Sequence, residues 1–239
     1  MALGRGPVIA AVAGVLVGAS AMALASSGGL FGGGGSRGEV EQIVKSYILE
    51  NPEIIPQAMD LLKQRETAQV VAANRAAFET PYGSGWAGAE KGDVVLVEFF
   101  DYACGYCRKS NAEVERLLQE DPKLKVVWRE YPVLGQPSLD AAEVSLAAAR
   151  QGRFRQFFHA MFSGGRPTPE AIAAAGRAAG VQPMASAPEH RAEIEKNYQL
   201  AQAIRSTGTP TFVVGDQVLH GAVGYDTLKK AIAAARART

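Results

Sequence analysis

A chain of 239 residues with 47% hydrophobic and 21% charged content is long enough for one medium domain with appendages. Its formal net charge of +1 offers neither a basic field for nucleic acid nor an acidic tail, so nucleic-acid binding has no support. Two cysteines, close together, leave no spare pair to act as a structural staple.

Residues 1–25 open with Arg5, run through an apolar centre from Pro7 to Gly18 and reach the small residues Ala23 and Ala25. That is the layout of a secretory signal peptide with cleavage after Ala25. The apolar span is about 18 residues, near the lower limit for crossing a bilayer, so an uncleaved anchor over residues 7–25 is the alternative. No cysteine follows the segment, which excludes a lipid-anchored form. Either way the body of the protein is expected in the periplasm or another extracytoplasmic space, where disulfides form and persist. Residues 26–38 are rich in Gly and Ser and predict a flexible linker. From Glu39 the pattern turns helical, with Val40, Ile43, Val44, Tyr47, Ile48 and Leu49 on one face. Asn51-Pro52 breaks it, and Ile54, Ile55, Ala58, Leu61 and Leu62 mark a second helix that continues in more polar form over 64–77. The segment 39–79 is too short to bury its own apolar face. It either folds back on the same chain or meets its copy in another protomer, and a homo-oligomer through residues 39–79 is the expectation.

The run Val94–Phe100 is β-branched and aromatic, as a buried strand is, and Ala112, Val114, Leu117 and Leu118 predict a helix over 108–120. Between them stands Cys104-Gly105-Tyr106-Cys107, so both cysteines lie on a strand-to-helix junction. A helix N-terminus offers free N–H groups and a partial positive charge, which favour a thiolate at Cys104 and make it a nucleophile. Cys107, one turn on and more buried, is placed to attack a mixed disulfide at Cys104. Two other readings compete. Zinc would need two more ligands, and His159, His190 and His220 stand singly. A structural disulfide closing so short a loop would constrain the unfolded chain very little. A redox-active pair is the stronger reading, with no metal and no cofactor. Leu124–Tyr131 then predicts a second core strand, followed by an Ala-rich helical region with helices over 139–150, 154–162, 169–179 and 187–206. The stripe Phe154, Phe157, Phe158, Met161 and Phe162 reads as helical core. A hairpin over 211–219 and a closing helix over 225–238 complete the chain. The order predicts an α/β fold, a sheet covered by helices and interrupted by a helical insertion over about 139–206.

Glu98-Phe99-Phe100-Asp101-Tyr102 leading into the cysteine pair, the helical insertion, and Gly208-Thr209-Pro210-Thr211 before the hairpin resemble the DsbA-like branch of the thioredoxin superfamily over roughly residues 90–239. The helices of 39–62 resemble the N-terminal segment of the Com1 and ScsC-like subgroup, which implies an oligomerisation element ahead of a thioredoxin domain at 80–239. The resemblance implies that Cys104 is the nucleophile and Cys107 the resolving thiol of a redox-active disulfide. It also implies that Pro210 is a cis-proline facing them, and that Thr209 has its backbone free to pair with a substrate strand. Glu98 matches the family's acidic residue beneath the site. In a buried strand its pKa is expected to rise and its carboxylate to accept the Cys107 proton; an exposed strand-edge acid is the alternative. Tyr106 is expected to contact substrate. Gly-Tyr between the cysteines, with Thr209 before the proline, resembles the disulfide isomerases rather than the strong oxidases. The expected function is therefore an exported thiol:disulfide oxidoreductase, an isomerase or reductase acting on cysteine-containing exported proteins. It would be served by a membrane redox partner of the DsbD/ScsB-like or DsbB-like kind. A dithiol oxidase of the same fold and a Cu(I)-handling protein are the alternatives.

Overall fold

The computed structural model describes residues 36–182 and 187–238, so the expected signal or anchor at 1–25, most of the linker at 26–38 and Pro183 lie outside the described residues. Among the described residues no helix is long and apolar enough to cross a membrane. The chain divides into two compact units, Met1–Met59 and Asp60–Thr239.

In the first unit α1 (Arg37–Glu50) starts on a capping box: the Ser36 hydroxyl accepts the Glu39 N–H, and the Glu39 carboxylate accepts the Ser36 N–H at 2.6 Å. It ends at Asn51, because the following Pro52 disfavours helical backbone there. None of its residues is buried, and Val40, Ile43, Val44 and Tyr47 stand exposed at helical spacing. A second helix, α2 (Ile54–Ala73), follows, and then the short α3 (Arg75–Glu79).

The second unit is built on a five-stranded sheet, and each face of that sheet is covered. Strands β1 (Trp86–Gly88), β2 (Val94–Phe100), β3 (Leu124–Glu130), β4 (Thr211–Val214) and β5 (Gln217–His220) lie in the order β1-β3-β2-β4-β5. Only the β2–β3 pair is parallel; the other pairs are antiparallel. Alternate residues of β2 serve two cores, which is why the strand reads as an apolar run interrupted only by Glu98. Leu96 and Phe100 pack with Val126, Trp128, Phe212 and Val214 against α4 (Gly105–Glu120), α6 (Phe154–Ser163) and α9 (Tyr225–Arg236). Val97 and Phe99 pack on the other face with Val127, Val213, Val71, Phe78 and Leu200, the last on α8 (Pro188–Ala203). Val71 and Phe78, within the expected N-terminal helical segment, therefore belong to the core of the second unit.

The insertion comprises α5 (Gln136–Arg150), α6, α7 (Pro169–Ala179) and α8. The Phe154-to-Phe162 stripe is core, as its spacing predicts: Phe158 meets Phe100 and Trp128 at ring distances of 5.2 Å each, and Phe157 meets Tyr102 at 5.7 Å. The three-residue β1 is not foreseen from sequence, because so short a strand shows no period. Gly215, at φ 57, makes the turn of the β4–β5 hairpin in a region that disfavours residues with a side chain.

Candidate active site

The helix that carries the cysteines begins three residues earlier than its apolar spacing predicts, because Cys104 itself is the N-cap of α4. Its Sγ accepts the backbone N–H of Cys107 at 3.4 Å, using one of the helix's orphan donors. Across the site the Thr209–Pro210 peptide bond is cis, and the Thr209 carbonyl lies 3.3 Å from Cys104 Sγ, where a thiol S–H donates to it. Both cysteines are free thiols and both are buried, Cys107 completely.

Their electrostatics diverge. The hydrogen bond from Cys107 pulls Cys104 down to about 5, partial burial opposes it, and hydrogen bonds from the Thr209 side chain and from the N–H groups of Cys107 and Tyr106 add to the fall. Cys107 is pushed far up by burial, by its hydrogen bond to Cys104 and by the negative charge of Glu98. One sulfur is thus a thiolate at neutral pH while its neighbour keeps its proton.

Glu98 sits in the middle of β2, fully buried, between Trp128 of β3 and Phe212 of β4. Burial lifts its carboxyl to about 8, against a hydrogen bond from Trp128 Nε1 to Oε2 at 3.0 Å; the charges of Cys104, Glu115 and Glu113 lift it further. The strand-edge alternative for Glu98 therefore falls. Tyr106 projects into solvent from the first turn of α4. The structure thus brings Cys104 into contact with both Cys107 and Thr209, makes the Thr209–Pro210 bond cis, and buries Glu98 near enough to feel the charges of the pair.

Sequence reasoning misses the residues that hold this arrangement. The Asp101 carboxylate, almost fully buried, accepts N–H bonds from Ala103 at 2.7 Å, Val133 at 2.8 Å and Leu134 at 2.9 Å. It ties the turn before Cys104 to the loop after β3. Arg108 donates to the carbonyls of Phe162 and Gly165, fastening α4 to the insertion. Among the described residues no three His, Cys, Asp or Glu side chains gather where they could share a metal ion. A dithiolate from Cys104 and Cys107 is the arrangement that could take a soft ion such as Cu(I).

Comparison with known proteins gives a consistent pattern. The family model for the DSBA-like thioredoxin domain matches residues 95–233, and that for the copper resistance protein ScsC N-terminal domain matches residues 37–69. A thioredoxin-like oxidoreductase from Silicibacter pomeroyi is 36% identical, with a TM-score of 0.64 over 69% of this chain and 98% of that one. A periplasmic thioredoxin-like protein from Salmonella enterica is 29% identical, with a TM-score of 0.65 over 68% and 95%. A linker-deleted form of Proteus mirabilis ScsC shares the fold at 24% identity, with a TM-score of 0.72 over 84% and 95%. The chain also matches a stretch of the Na(+)/H(+) antiporter NhaA 1 of Salinispora arenicola, 27% identical over 64% of this chain, and spans only 24% of that protein's length.

Proposed function

The chain belongs to the DSBA-like thioredoxin domain family, and we propose that within it the protein is an exported thiol:disulfide oxidoreductase acting as an isomerase or reductase on protein disulfides. The observation that supports thiol–disulfide exchange is the split between its two thiols, with Cys104 held as a thiolate at the head of α4 and Cys107 held protonated; the choice of isomerase or reductase rests on the resemblance of Gly105-Tyr106 and Thr209 to the isomerases. Cys104 attacks a substrate disulfide and forms a mixed disulfide, releasing one substrate thiolate. Thr209 and Pro210 line the side on which an extended substrate strand lies, and the exposed Tyr106 meets it from the other. Cys107 gives its proton to Glu98 and displaces the substrate from Cys104, or waits while the substrate rearranges. The periplasmic relative in Salmonella supports export to the same kind of compartment.

A protein working in the dithiol state needs electrons, and a DsbD/ScsB-like membrane partner would supply them; a DsbB-like partner belongs to the oxidase alternative. Reactivation of scrambled ribonuclease, run beside reduced ribonuclease, tests the direction. Recovery of the scrambled enzyme is expected, and recovery of the reduced enzyme alone would make the protein a dithiol oxidase. The match to a copper resistance protein's N-terminal domain supports a second reading, Cu(I) handling through the same two sulfurs. Tight Cu(I) binding lost in Cys107→Ser, with no disulfide exchange in the wild type, would favour it over the enzyme.

A further inference from the structure

An ionised carboxylate can accept about four hydrogen bonds, yet Glu98 receives one at Oε2 from Trp128, and its Oε1 is buried with no partner among the described residues. Leaving a buried oxygen unpaired is costly, so an oxygen left that way under a reactive cysteine pair calls for a function. The Trp128 indole is itself engaged on its other side. The Arg155 guanidinium of α6 stands over the ring, 4.7 Å from its centroid, and pairs with Glu115 of α4 at 2.7 Å. A cation on the π face draws electron density from the indole and strengthens its N–H as a donor. The groups facing Glu98 are Cys104, Cys107, Glu113 and Glu115 from α4, Trp128 from β3 and the apolar Phe212 from β4. Arg155 and His159 of α6 reach this set through Trp128 and Glu115.

We propose that Trp128 is a positioning residue for disulfide exchange: its indole N–H fixes Oε2 of Glu98, stabilises the carboxylate and leaves Oε1 to take the Cys107 proton, with Arg155 strengthening the donor. The proposal rests on the thiol–disulfide reading above and on Glu98 as the proton acceptor. In the step concerned, Cys107 gives its proton to Oε1, and its sulfur attacks Cys104 Sγ. The Cys104–Cys107 bond forms as the Cys104–substrate bond breaks; the substrate sulfur leaves as a thiolate and is protonated by solvent, so the two electrons end on the substrate. With the indole bond in place the carboxyl lies at about 8, within reach of neutral working conditions, where a proton acceptor is most useful.

The test is rapid-quench mixing of reduced protein with excess oxidised glutathione across the neutral-to-alkaline range, with mass analysis after acid quench. It separates capture of glutathione on Cys104 from conversion to the Cys104–Cys107 disulfide. In Trp128→Phe the pH midpoint of conversion is expected to rise by about one unit, the size of a lost charge-assisted hydrogen bond, and conversion below the midpoint to slow about tenfold. Arg155→Gln should shift it the same way by less, and capture should keep its wild-type pH dependence in both. Conversion at the wild-type midpoint in both variants overturns the proposal. If Trp128→Phe does not fold, the partly exposed Arg155 carries the test alone. A wild-type protein that never captures glutathione overturns the exchange reading itself, a result distinct from an unshifted midpoint.

Discussion

Two thiols three positions apart carry opposite electrostatics, and each consequence can be measured on a single side chain. With Cys104 at about 5 and Cys107 far above its ordinary range, alkylation of the reduced native protein should modify Cys104 alone and reach half its maximal rate near pH 5. Peptide mapping by mass checks both points, and a midpoint near the ordinary thiol value of 9.0 would remove the thiolate from the mechanism. Glu98 shows the opposite linkage. Its carboxyl is raised from 4.5 to about 8, so the stability tied to its proton is fully present below pH 4.5 and is lost as pH rises through about 8. Glu98→Gln has no proton to lose. It should match the wild type below pH 4.5 and exceed it at neutral pH by on the order of 3 kcal/mol, as urea unfolding at the two pH values would show. A stability difference that ignores pH would mean that the carboxyl titrates alike in the folded and unfolded states. The cysteines are legible in the sequence because residue type and local spacing announce them, and Glu98 because the stretch ahead of them resembles the DsbA-like pattern. Trp128 is not, because its partner lies on another strand and only the parallel register that sets Trp128 beside Glu98 makes the pair.

Elements are held in place by groups that sequence patterns do not single out. Arg129, alternating with Trp128 on β3, is buried, and its guanidinium donates to the carbonyls of Ala77, Phe78 and Thr80 at the end of α3 and to Glu193 and Asn197 of α8. One side chain thus caps a helix C-terminus and clamps it between the sheet and the insertion. Arg129→Met strands those carbonyls and the nearly buried Glu193, and should cost about 3–5 kcal/mol. Hydrogen exchange over residues 75–80 should rise with it, while Cys104 keeps its alkylation midpoint; unchanged protection there would show that the clamp is dispensable. A lone arginine in an apolar strand looks, in sequence, like a lapse in the pattern. The start of α4 is missed for a related reason: a cysteine is not among the residues whose side chains usually signal an N-cap, so apolar spacing alone sets the start too late. The helices of the insertion are recovered to within a few residues because their 3.6-residue period is strong and glycines punctuate them.

For the whole molecule, the two compact units present different surfaces. The second unit, Asp60–Thr239, holds Cys104, Cys107 and both sheet cores, with Val71 and Phe78 buried in one of them. The first unit leaves Val40, Ile43, Val44 and Tyr47 of α1 exposed at i, i+3, i+4 and i+7, together with Ile55 and Met59 of α2. An apolar stripe of that spacing is the packing face of an amphipathic helix, and a second copy of the same helix is a partner with matching geometry. Association of copies would bring several Cys104 sites to one substrate, the arrangement that isomerisation needs and a simple oxidase does not. Light scattering should therefore give a multiple of the protomer mass for the chain from Ser26 and a single protomer mass for the chain from Asp60, with Cys104 alkylated equally in both. The same pair should divide in activity: scrambled ribonuclease recovers well only with the longer chain, while a small disulfide such as oxidised glutathione is reduced equally by both. Equal masses would leave the helical stripe without a second copy, and equal isomerase activity would show that one site suffices whatever the mass.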